Sequence, residues 1–256
     1  MFNEQTDNTL VLGVYSYKQR AIIYRNITRR FSKYMDKRFL SILGVIAVVF
    51  IGIFAISQRS NNNSTSGSAS SAQPTSHIEG QDAKGVTLVE YGDYECPICA
   101  EFYTPLKQAF NDNSQNIHFQ FRNLPLVSIH KNAFSAARAA EAAGLQGKYW
   151  QMHDKLYENQ NQWVSASNPL SDFQTYAQEI GLNVSKFNSD YAGSAVNDSI
   201  NADLAAFAKT GKEQATPTFF LDGKALDNSQ FLDPQTGGIS VAKFDQAIAN
   251  EIKSKG

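Results

Sequence analysis

Apolar and polar positions divide this 256-residue chain into regimes of different period. From Phe39 to Ile56 there is no charge and almost no polar side chain. As a helix this stretch is long enough to cross a hydrocarbon core of roughly 30 Å, and it predicts one membrane span. Residues 57–80, centred on Asn61-Asn62-Asn63-Ser64-Thr65-Ser66-Gly67-Ser68, carry too little apolar surface to fold and predict a flexible linker. Beyond them Val86 to Tyr91 reads as a buried strand. From Pro97 onward Ile98, Phe102, Leu106, Ala109 and Phe110 recur at helical spacing, with a kink expected at Pro105. Ile117 to Arg122 alternates as a second strand. A small-residue helical face follows through Ala133, Ala136, Ala137, Ala140 and Ala143, then a helix over Tyr149 to Asn159. Further helices are predicted over Pro169 to Ile180 and Ala195 to Lys209. A hairpin turning at Asp222-Gly223 and a last helix over Ser240 to Ile252 complete the pattern. Strand, helix, strand, a block of helices, hairpin and helix make an α/β domain with a helical insertion.

Charge changes this picture by adding orientation. Lys18, Arg20, Arg25, Arg29, Arg30, Lys33, Lys37 and Arg38 precede the apolar stretch against Asp36, and only Arg59 follows it closely. The positive-inside rule therefore predicts a cytoplasmic segment 1–38, an anchor 39–56 in the lipid bilayer, the linker 57–80 and an extracytoplasmic domain 81–256. A cleaved signal peptide is the competing reading, since Ala55-Ile56-Ser57 offers small residues. The span is longer than a signal core, however, and its leading segment is too long. Residues 1–80 carry a formal charge of +5 and 81–256 carry −6. An acidic exported domain argues against nucleic acid as a partner.

The candidate chemistry is a single pair, Cys96-Pro97-Ile98-Cys99, the only cysteines in the chain. A disulfide closing so small a loop contributes only about 2 kcal/mol, against about 4.7 for a 100-residue loop, so stability is a poor reason to have it. Zinc would need about four ligands, and His77, His118, His130 and His153 supply neither a second pair nor a short His spacing. Redox exchange is left as the reading, with a thiolate favoured at the N-terminus of the helix opened by Pro97. The first sulfur should be exposed at the helix end and the second, one turn in, buried. Nearby Asp93, Glu95 and Glu101 would oppose the thiolate, and Ile98 lends it no charge. His130 could cap the following helix. His153 reads as a packed or surface histidine, and Trp150, Trp163, Tyr91 and Tyr94 as core or groove-lining aromatics.

The run Glu90-Tyr91-Gly92-Asp93-Tyr94-Glu95-Cys96-Pro97-Ile98-Cys99 resembles the active-site motif of DsbA-like thiol:disulfide oxidoreductases of the thioredoxin superfamily. Arg122-Asn123-Leu124-Pro125-Leu126, Trp150-Gln151-Met152-His153-Asp154 and Ala215-Thr216-Pro217-Thr218-Phe219 are similar to later motifs of that family. The resemblance covers about residues 85–253. It implies a thioredoxin fold with a helical domain inserted at about 127–212. It also implies Cys96 as nucleophile, Cys99 as its partner, Glu90 as a buried acid carrying the proton of the second cysteine, and a cis Thr216–Pro217 bond facing the pair. Substrate would lie against Thr216, Pro217, Pro97 and Ile98. No cofactor and no metal are implied. The implied partners are exported thiol-containing proteins and a membrane quinone-linked protein that restores the disulfide. The same fold run as a reductase or isomerase, and a binding or chaperone-like module without redox turnover, are the alternatives.

Overall fold

The computed structural model describes residues 73–255. The expected cytoplasmic segment and membrane anchor lie outside the described residues, as does most of the expected linker. No helix among the described residues is long and apolar enough to cross a membrane.

Five strands form one sheet: β1 (His77–Glu79), β2 (Val86–Gly92), β3 (Ile117–Asn123), β4 (Thr218–Leu221) and β5 (Lys224–Ala225). Their order is β1-β3-β2-β4-β5. β2 and β3 run parallel, joined by helix α1 (Pro97–Asn113), and the other neighbours are antiparallel. The helical block inserted between β3 and β4 holds α2 (Ala133–Gly144), α3 (Tyr149–Glu158), α4 (Gln160–Trp163), α5 (Leu170–Glu179), α6 (Val184–Ala192) and α7 (Ser194–Ala208). A 3-10 turn (Asn228–Phe231) and α8 (Val241–Lys255) follow the hairpin. That turn is made as expected by Asp222 and Gly223, both at positive φ, 48° and 78°.

Alternation along β2 puts Val86, Leu88 and Glu90 on one face and Val89 and Tyr91 on the other. Val86 and Leu88 join Phe102, Leu106, Phe219, Phe231, Phe244 and Ile248 in a core between the sheet and helices α1 and α8. Tyr91 packs on the opposite face with Leu124 and Phe207 of α7. A separate core inside the helical block includes Cys99, Ala136, Ala140, Met152, Trp163 and Phe173, so the cysteine pair lies where block and sheet meet.

Two points differ from the sequence reading. The linker does not reach residue 80, because His77–Glu79 pair with β3 as β1. Thr75 donates from its backbone and its hydroxyl to the buried Asp203 carboxylate at 2.8 and 2.7 Å, partners that no local reading of a polar segment reveals. Helix α6 was not anticipated, since it buries only Phe187; Asn183 caps it by accepting from Lys186 N–H at 2.9 Å. Pro105 sits within α1, which continues through it to Asn113.

Candidate active site

β2 ends at Gly92, and four residues later Cys96 forms the N-cap of α1 in extended backbone. Pro97 occupies the first helical position, where its missing N–H costs nothing. The pair stands as two thiols. Cys99 is fully buried as expected, but Cys96 is only 5% exposed, a correction to the reading of an open sulfur. What covers it is the loop entering β4: the Thr216–Pro217 bond is cis, and the Cys96 thiol donates to the Thr216 carbonyl oxygen at 3.4 Å. Asn228 steadies that loop by donating to the Pro217 carbonyl at 2.7 Å. Pro97 and Ile98 remain exposed beside the sulfur, Ile98 by 45%. Folding thus brings Cys96, Cys99, Thr216 and Pro217 together from positions 120 residues apart.

One donor to the backbone around Cys96 was missed by sequence reasoning. Gln160, the first residue of α4, donates to the carbonyl oxygens of Tyr94 and Cys96 at 2.8 and 3.0 Å and so clamps the turn before α1. A glutamine 64 residues downstream carries no sequence signal for this. Two of the three acids expected to oppose the thiolate, Asp93 and Glu95, are engaged elsewhere, while Glu101 is exposed on α1. Asp93 accepts from the N–H groups of Glu95 and Leu126 and pairs with His130 at 2.8 Å, and Glu95 accepts from Asn132 N–H at 2.5 Å. His130 is therefore a partner of the turn rather than a helix cap, and Asn132 is the N-cap of α2.

The electrostatics separate the two sulfurs. The Cys99 thiol, hydrogen-bonded to it, lowers the Cys96 thiol to about 6, with the Ile98 and Cys99 backbone N–H groups adding to the effect against partial burial. Burial pushes the Cys99 thiol well above its ordinary range, and both the hydrogen bond to Cys96 and the Glu90 charge act the same way. Glu90 is 3% exposed on the face of β2 toward α1. Burial, and then the neighbouring Cys96 charge, raise its carboxyl from 4.5 to about 8. Gly92 makes room for this arrangement, since a Cβ there would meet the Phe121 ring at 2.4 Å and a Glu90 carboxyl oxygen at 3.0 Å. A reactive thiolate, a thiol that stays protonated and a carboxyl that titrates near neutrality are the parts that thiol–disulfide exchange needs.

The family described as Thioredoxin matches residues 72–236. Among solved structures, the chain is similar to oxidised BdbD from Bacillus subtilis, with a TM-score of 0.58, 23% identity, and coverage of 72% of this chain and 97% of that one. It is similar to a thioredoxin-like oxidoreductase from Silicibacter pomeroyi, with a TM-score of 0.54 and 23% identity over 70% of this chain and 92% of that one. MdbA, a thiol-disulfide oxidoreductase from Corynebacterium diphtheriae, gives a TM-score of 0.51 at 19% identity over 70% and 95%. Curated relatives include the Na(+)/H(+) antiporter NhaA 1 of Salinispora arenicola, 34% identical over 65% of this chain and 24% of that protein, and the NhaA of Herminiimonas arsenicoxydans, 35% identical over 60% and 23%. The chain spans about a quarter of the length of these antiporter relatives. The thioredoxin match takes in well over half of the chain, and on that ground the chain belongs to the thioredoxin family.

Proposed function

We propose that the protein is a thiol:disulfide oxidoreductase that donates the Cys96–Cys99 disulfide to exported proteins, held at the outer side of the cytoplasmic membrane by residues 39–56. The observation that carries this is the Cys96 sulfur at a helix N-terminus, with the Cys99 thiol and backbone N–H groups directed at it. A substrate thiolate attacks Cys96; the Cys96–Cys99 bond breaks, and Cys99 leaves with the electron pair and takes a proton from the Glu90 carboxyl. A second substrate thiolate then attacks the substrate sulfur and expels Cys96 as a thiolate that stays ionised at neutral pH. Thr216, Pro217, Pro97 and Ile98 would line the substrate's approach.

Stabilising the thiolate favours the reduced protein, and so makes the disulfide a donor rather than a sink. A reductase of the same fold is the second reading, favoured by Ile98, which supplies no positive charge between the cysteines. Recycling would pass the electrons to a membrane quinone-linked partner bearing its own disulfide. The antiporter relatives lend no transport role, since the shared part is a quarter of their length. Equilibration with glutathione tests the direction. The donor reading expects a potential between about −270 and −120 mV and nearer the latter, with the pair oxidised in cells by thiol trapping. A potential near −270 mV with the pair reduced in cells would replace it with the reductase.

A further inference from the structure

Glu90 lines a cavity of about 50 Å³ whose walls also include Trp150, His153, Asp154, Lys107 and Glu79. It has room for roughly three waters. Glu90 and His153 are its buried members, 3% and 4% exposed, while Lys107 and Asp154 are partly open to solvent. His153 is enclosed by aromatic rings. Phe121 lies 4.9 Å from it between centroids, Tyr157 5.1, Trp150 5.2, Tyr94 5.6, Tyr103 5.8 and Tyr149 6.4 Å. Both ring nitrogens are hidden from solvent and make no hydrogen bond within 3.5 Å among the described residues; Asp154 lies just beyond that range of Nδ1, and Nε2 is left without a partner. A role in packing alone would be served by phenylalanine at less cost, because a buried polar group without a partner is unfavourable. The polar ring is intelligible if its nitrogens serve the cavity.

We propose that His153 is a positioning residue for proton exchange at Glu90, its imidazole passing protons through cavity water between that carboxyl and the solvent side at Asp154. The inference rests on the reading of the pair as a disulfide donor. Burial holds the ring below its ordinary 6.5 and therefore neutral at neutral pH. A neutral imidazole has one donor and one acceptor nitrogen, so it releases a proton on one side as it takes one on the other. Asp154 Oδ1 lies 3.6 Å from Nδ1, which favours the proton there and leaves Nε2 to accept. Asp154 is itself held by Lys107 at 2.8 Å and Tyr103 at 2.8 Å. The ionisable groups around the ring are His77 and Glu79 from β1, Glu90 from β2, Tyr94 from the turn after it, Tyr103 and Lys107 from α1, and Tyr149, Asp154 and Tyr157 on α3 itself. Among them Glu90 is the one whose proton the sulfurs use.

The step balances as follows. On re-oxidation Cys96 is joined to a partner's sulfur in a mixed disulfide; Cys99 gives its proton to the Glu90 carboxylate, and its thiolate attacks Cys96. The Cys96–Cys99 bond forms, the bond to the partner breaks, and the partner sulfur leaves with the electron pair. Glu90 then passes its proton through water to His153 and outward. Donation runs the proton inward by the same route.

The test uses the full-length protein in a mild detergent with a dithiol peptide as substrate, measuring disulfide transfer and re-oxidation from pH 5 to 8. H153F should fill the aromatic cage, melt within a few degrees of the parent, and slow transfer at least tenfold with a flattened pH profile. H153Q, which keeps hydrogen bonding but cannot exchange a proton through the ring, should stay slow, and it is the variant read if H153F does not fold. The double variant E90Q/H153F should be no slower than E90Q, because both act on one path. A parent-like rate and pH profile in H153F, parent-like rates in H153Q, or slowing that adds to that of E90Q would overturn the proposal. An unsubstituted protein that transfers no disulfide would instead overturn the donor reading, and this one with it.

Discussion

Cys96 and Cys99 are one helical turn apart, yet their surroundings drive them in opposite directions. The first meets backbone N–H groups and a thiol donor; the second is buried, gives its hydrogen bond to Cys96 and faces the Glu90 charge. Cys96→Ala should abolish transfer. Cys99→Ala should accumulate mixed disulfides with substrates, seen as reducible bands on gels, because a complex held at Cys96 loses its intramolecular exit. Reversed behaviour of the two variants would contradict the assignment. Glu90→Gln separates activity from stability. An acid raised from 4.5 to about 8 by burial keeps its proton in the folded protein while the unfolded chain has lost it, so it destabilises progressively as pH rises from 4.5 to 8. The amide removes that cost. The variant should therefore be as stable as the parent near pH 4 and more stable at pH 8, by on the order of several kcal/mol, while its transfer is slower. Urea unfolding at the two pH values, beside transfer rates, checks both halves.

At the scale of elements, the N-terminal edge of the domain depends on two buried carboxylates. Asp203 on α7 is fully buried and accepts from Thr75 twice and from the Asn123 N–H at 2.9 Å, while Glu141 on α2 receives Asn123 Nδ2 at 2.7 Å and His77 at 3.0 Å. His77 also stacks on Tyr149, centroids 3.4 Å apart. These contacts hold β1 against β3 although three residues make a weak strand by themselves. Asp203→Ala leaves buried donors on Thr75 and Asn123 unpaired and should cost about 3 kcal/mol. Hydrogen exchange should then open first at residues 75–79, where protection unchanged from the parent would show that the edge is held otherwise. Of this edge the sequence shows nothing, because Glu141 lies 64 residues from His77 and Asp203 lies 128 from Thr75.

For the whole molecule the redox state sets the stability. The reduced form gains from a thiol whose acidity is raised by folding. A depressed thiol contributes stability that is fully present above its unfolded value near 9 and is lost as pH falls through about 6. The oxidised form has no such group. The reduced protein should therefore melt higher than the oxidised one, with a gap that widens from pH 6 toward 9; since 30 mV corresponds to about 1.4 kcal/mol for this couple, a difference of 60 mV is within reach of a melting curve. An oxidised form that melts higher would favour the reductase. The anchored topology is tested separately. Protease added outside intact spheroplasts should release a fragment whose first residue falls within 57–72, a segment too polar to bury itself. The same domain free in the medium of untreated cells, beginning near Gln58, would point to signal cleavage.

By itself the sequence determined the strands β2 and β3, the redox pair at the head of α1, the Asp222-Gly223 hairpin and most of the helical block. These rest on hydrophobic period, on turn residues with restricted φ and on a motif of four consecutive residues, all of them local. It also singled out Glu90, through the resemblance of the run Glu90 to Cys99 to the DsbA-like active-site motif. Only the tertiary structure decided that Cys96 is covered by Thr216, that Asp93 and Glu95 hold a loop instead of opposing the thiolate, that Gln160 clamps the turn, and that His153 shares a cavity with Glu90. Each of these joins residues from separate elements, and no period or spacing along the chain records which side chains a packed interior will bring within hydrogen-bonding reach.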